Sequence, residues 1–99
     1  MSKGEEQIAA ILKKNHIKFI KEKTFKDLKK GHYRFDFFLP DTNTVIEFNG
    51  QQHYTYTKSF YKTQGEWLAA LERDRSKISY CLANDIHIYI IPYYDLITL

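Results

Sequence analysis

Two short runs, Arg34-Phe35-Asp36-Phe37-Phe38-Leu39 and Thr44-Val45-Ile46-Glu47-Phe48-Asn49, constrain the fold of this chain more than any other segment. Both are rich in β-branched and aromatic residues. The residues between them, Pro40-Asp41-Thr42-Asn43, are turn formers, so the pair reads as a β-hairpin with a short loop. Counting back from the loop, Leu39 faces Thr44, Phe38 faces Val45 and Phe37 faces Ile46, which brings Asp36 opposite Glu47. Opposed residues of an antiparallel pair point to one face, with Cβ atoms about 4.5–5.5 Å apart. Two carboxylates that close repel each other unless something positive lies between them. A divalent cation with oxygen ligands, Mg²⁺ above all, suits the place. Asp36 and Glu47 are therefore the expected metal ligands, with Mn²⁺ as a substitute ion. Removing Asp36 should relieve repulsion and leave metal-free stability unchanged or slightly raised. The competing reading is a sheet with one side in water and both acids solvated, although such a sheet more naturally sets Lys or Thr against an acid.

A chain of 99 residues forms one domain, here 1–99, with a modest core. Apolar residues are 43% of it and aromatics 16%, enough to fold. The net charge of +3 is unevenly spread: eight lysines against two acids lie between Lys13 and Lys30. A cationic region beside an acidic pocket suits a polyanion, and nucleic acid is the commonest. A solvated lysine-rich surface is the alternative. Cys81 is the single cysteine, which excludes an internal disulfide and a cysteine-based zinc site and fits a reducing cytosol. No apolar stretch approaches the ~20 residues of a membrane span, and Met1-Ser2-Lys3-Gly4-Glu5 is no signal peptide.

Ser2 and Glu5 are spaced as a capping box, and Ile8, Ile11 and Leu12 repeat at helical spacing, which predicts a helix over about 3–15. A strand from Ile17 to Glu22 and a lysine-rich connector from Thr24 to Gly31 should follow. After the hairpin, with strands at about 32–39 and 44–49, Gln51 to Gly65 reads as a long aromatic loop. A second helix is expected from about Glu66 to Asn84, with Trp67, Leu71, Ile78, Cys81 and Leu82 inward. Ile86 to Ile91 is a last strand stopped by Pro92. The order α-β-β-β-α-β gives an α/β or α+β domain with a mixed central sheet flanked by helices.

Polar residues in these apolar rows are the remaining site candidates. Glu5 shares the Ile8–Leu12 stripe and either faces the protein body or only completes the capping box. Asp74 falls on the inward row of the second helix, where a carboxylate needs a partner. Lys77, three residues on, could border the same pocket, and a structural pair of Asp74 with Lys77 or Arg73 is the plainer alternative. His53 follows the Glu47 strand closely enough to curl over the acids as a general base or a holder of water. Tyr54, Tyr56 and Tyr61 could stack on DNA, or pack the loop down.

These residues resemble the PD-(D/E)xK nucleases. The likeness is closer to the very-short-patch-repair endonuclease branch and the related phage homing-endonuclease catalytic domains. That branch pairs an early helix Glu, a strand Asp, a His after the next strand and an Asp on a later helix, matched here by Glu5, Asp36, His53 and Asp74. The Ser2-Lys3-Gly4-Glu5, Gln52-His53 and Arg73-Asp74-Arg75-Ser76-Lys77 surroundings look like the phage-type members. The resemblance implies a restriction-endonuclease-like fold and Mg²⁺-dependent cleavage of double-stranded DNA in a bacterial or phage-infected cytoplasm. The lysine of the general pattern falls at Asn49, so His53 or Lys77 would have to supply its role. Homing enzymes of this kind usually carry a separate DNA-binding region, which implies either a further domain or a homodimer. The other functions weighed are a nucleic-acid-binding module that does not cut and a junction-selective nuclease.

Overall fold

The computed structural model describes residues 2–50 and 63–95. Its elements run α1 (Lys3–Lys14), β1 (Ile20–Thr24), β2 (Arg34–Leu39), β3 (Thr44–Asn49), α2 (Gln64–Ala83) and β4 (His87–Pro92), with short 3₁₀ turns at Lys29–Gly31 and Tyr93–Asp95. The strands form one sheet in the order β1-β2-β3-β4. β1, β2 and β3 are antiparallel neighbours, and β4 lies parallel to β3 after the α2 crossover. The fold is thus α+β, a mixed sheet with a hairpin and two helices, as the residue pattern predicts. No described helix is long and apolar enough to cross a membrane.

The hairpin has the expected register, Leu39↔Thr44, Phe38↔Val45 and Phe37↔Ile46. Asn43 adopts φ 49°, a left-handed turn conformation that Asn tolerates better than most residues. Its carbonyl accepts from His87 N–H at 3.1 Å and its side-chain amide donates to the Asp85 carbonyl at 3.1 Å, tying the hairpin loop to the start of β4.

Each helix covers one face. Ile8, Ala9 and Leu12 of α1 bury against Phe37 and Ile46, while Cys81 of α2 buries with Phe35, Val45, Leu28 and Ile86. Neighbours Val45 and Ile46 belong to different layers, as strand alternation requires. The face that carries the acids is therefore mostly apolar and covered by a helix, which rules out a water-facing sheet.

Both helices end alike. Ile17 N–H donates to Leu12 O and Ile86 N–H to Cys81 O, both at 2.9 Å, and His16 and Asp85 take positive φ just past each end. This wrap consumes residues 15–17, so β1 starts at Ile20 instead of Ile17. Ile11 (46% exposed) and Leu82 (72% exposed) lie off the inward rows, and the small residues Ala9 and Ala70 are buried instead. Small side chains let the helices approach the sheet closely.

Candidate active site

One register step beyond Phe37↔Ile46, the hairpin ladder passes from backbone to side chains. Asp36 N–H donates to Glu47 Oε2 at 3.3 Å, and Phe48 N–H donates to Asp36 Oδ2 at 2.7 Å. Each carboxylate therefore holds an amide of the opposite strand. On the other side of Asp36, β1 is kinked: Glu22 has φ 53°, and regular pairing flanks it at Lys21↔Phe37 and Lys23↔Phe35. The alternation of β2 breaks at the same level, since Phe37 packs in the α1 layer and Phe35 in the α2 layer. Here the sheet departs from regular geometry, and both acids stand at the departure.

They open into a cavity of about 210 Å³ between the sheet and α2. Asp36, Glu47, Phe48 and Asn49 form its floor, Ile88 and Ile90 of β4 its apolar side, and Arg73, Asp74, Lys77 and Ile78 its roof. The positive charge beside the acids is Lys77. Its ammonium pairs with Glu47 Oε1, and both side chains are only 12% exposed. The same ammonium sits 4.9 Å from the centroid of the Phe35 ring. Lys77 thus reaches Glu47 across the pocket, because the helix turn carrying it faces the end of β3. Glu47 Oε1 is shielded from solvent, and this ion pair is its close contact.

Burial raises the Glu47 carboxyl to about 8, against the pull of Lys77, and the hydrogen bond and charge of Asp36 push it the same way as burial. The Cys81 thiol, beneath the pocket, is raised to about 11 by burial and then by Glu47, so it is a packing residue and no nucleophile.

Asp36, Glu47, Asp74 and Lys77 are brought together in this cavity. Glu5 is not among its lining residues. Ser2 Oγ donates to Glu5 Oε2 at 3.0 Å, and Glu5 N–H donates to Ser2 Oγ at 3.2 Å, which is the capping-box role. His53 and the tyrosines 54, 56 and 61 lie outside the described residues. Arg73 was not singled out as a site residue, although its i, i+4 spacing to Lys77 signals a shared helix face.

The donor set fits a hard cation. Mg²⁺ commonly uses one or two carboxylates and retains several waters, and Asp36 and Glu47 supply that number of acids on adjacent strands. Among the described residues no group of three or more His, Cys, Asp or Glu side chains forms a fuller cage. A cation at Glu47 has to share or displace Lys77. No family model, curated protein or solved structure matches the chain.

Proposed function

We propose that this domain is a metal-dependent DNA endonuclease that hydrolyses phosphodiester bonds in the cytoplasm of a bacterial or phage-infected cell. The observation that carries the reading is the Asp36–Glu47 pair. Two carboxylates from adjacent strands meet at an irregular point of the sheet, in a helix-covered pocket with a partly buried lysine. A carboxyl raised by burial and coupled to a charged partner in a cleft, as Glu47 is, marks a candidate functional site. The α-β-β-β-α-β order and the helix on each face also agree with a restriction-endonuclease-like domain.

Asp36 and Glu47 would hold Mg²⁺, which supplies Lewis-acid polarisation of the scissile phosphate and offsets charge in the transition state. The Phe48 amide fixes the Asp36 carboxylate, so one ligand is preorganised by the backbone. Lys77 keeps Glu47 from standing as an uncompensated buried charge and adds the positive charge that Asn49 lacks. His53 would take the proton of the attacking water, with Asp74 lining the same cavity. Apolar Ile88 and Ile90 limit water on the β4 side.

Purified protein should nick supercoiled plasmid with Mg²⁺ or Mn²⁺ and stop in EDTA. A second reading, a module that binds DNA without cutting, is favoured by one feature: Lys77 already occupies Glu47 Oε1, where a cation would sit. DNA binding with no nicking in either metal would establish that alternative. Faster cutting of branched than of linear duplexes would point to a junction nuclease.

A further inference from the structure

We propose that Arg73 is the phosphate anchor of this pocket, holding a backbone phosphate of the strand whose neighbouring ester lies over Asp36 and Glu47. The inference rests on the nuclease reading and extends it to the recognition of the substrate.

Two cations line the cavity, and they are not equivalent. Lys77 is mostly withdrawn from solvent, its side chain 12% exposed, and pairs with Glu47. Arg73, one helical turn earlier, is exposed and lines the same cavity. Its guanidinium carbon is 6.0 Å from the centroid of the Tyr33 ring. Tyr33 is itself partly buried against the cluster of Leu28, Phe35 and Val45. The ring lies beside this long side chain just ahead of β2, three residues before Asp36 in the chain. A planar, permanently charged fork recognises tetrahedral oxyanions in a bidentate manner. Stacking at the outer limit of cation–π range on an exposed face adds little stability, so packing alone is a weak reason for an arginine here. An arginine beside metal-binding acids instead suits a ligand that carries negative charge next to the bond being broken, as a phosphodiester chain does.

The test measures binding of a fluorescent DNA duplex in EDTA across a salt series, for wild type, Arg73→Gln, Arg73→Lys and Lys14→Gln, each with a thermal melt. Lys14 is exposed at the far end of α1 and controls for bulk charge. Arg73→Gln should make the log–log salt slope shallower by about 0.9, the contribution of one duplex phosphate contact. It should weaken low-salt binding roughly tenfold, a factor within the range of one charge-assisted hydrogen-bonding partner. Its melting temperature should not move. Arg73→Lys should keep the slope and lose part of the affinity, because the charge remains and the fork does not. Arg73→Gln with wild-type slope and affinity overturns the anchor while leaving the nuclease reading intact. An equal effect of Lys14→Gln also overturns it, since the loss would then reflect net charge. Wild-type protein that neither binds duplex nor nicks plasmid overturns the anchor and the nuclease reading together.

Discussion

Glu47 stands under three influences at once: burial and Asp36 favour its neutral form, and Lys77 favours the charged one. Its raised folded-state value sets the sign of a pH effect. Below about 4.5 both folded and unfolded chains carry the proton, and the Glu47 contribution to stability is fully present. As pH rises toward about 8, the unfolded chain releases that proton first, so stability falls through this window and then levels off. Metal-free protein should therefore melt at lower temperature as pH climbs through that range, and Glu47→Gln should remove the decline. Lys77→Ala withdraws the one group that lowers Glu47, so the decline should extend to higher pH. At neutral pH that variant should also lose about 1.5–3 kcal/mol, the range for a hydrogen bond to a charged group. Asp36 behaves differently from the repulsion expected of opposed acids. Because it accepts the Phe48 amide, Asp36→Ala strands a partly buried N–H and should cost about 1–3 kcal/mol. Asp36→Asn keeps an acceptor oxygen and should melt near wild type. Chemical denaturation of the two variants checks this difference.

The junction of α1 with β3 gives an element-scale test. An ordinary Cβ at Gly4 would overlap the Phe48 ring, so the first turn of α1 approaches the sheet only because residue 4 has no side chain. Gly4→Ala should destabilise the domain by about 1–3 kcal/mol through overpacking, despite its better helix propensity. Combining it with Phe48→Leu should restore part of the loss in urea unfolding. The same push on Phe48 moves the amide that fixes Asp36, so Gly4→Ala should also weaken Mn²⁺ binding. That close approach was illegible in the residue string, where Gly4 is merely a glycine in a helix start. The hairpin was legible down to its register, because turn chemistry and alternation act over a few residues. The helices were legible in extent but not in the rotation of their buried rows. Ala9 and Ala70 carry little hydrophobic signal, whereas Ile11 and Leu82 carry much and stay exposed. Asp36 could be matched to Glu47 from the hairpin register, and Asp74 placed from the helical period. The partner of Lys77 could not, since it depends on how α2 lies across β3.

Across the whole molecule, charge and shape divide the labour. Part of the lysine-rich region has structural duties. Lys13 and Lys14 occupy the last turn of α1, where cations complement the helix dipole. Lys21 and Lys23 lie on edge strand β1, where charge discourages pairing with a second sheet. Lys23 also sits 5.2 Å from the Phe25 centroid and 5.3 Å from that of Phe38. Binding to duplex DNA should nevertheless weaken steeply with salt, by about 0.9 in the log–log slope per phosphate engaged, and a flat profile would indicate a protein or small-molecule partner. At the centre is the claim that the paired acids beyond the hairpin ladder hold the ion that drives cleavage. Comparing plasmid nicking by wild type and Asp36→Asn in Mg²⁺ tests it most directly, because the substitution removes a charge and keeps the acceptor for Phe48. Wild type should nick, and folded Asp36→Asn should be slower by about 10²–10³-fold or more, the scale of losing one transition-state stabilising group. Equal nicking by the two proteins would contradict a metal site at Asp36.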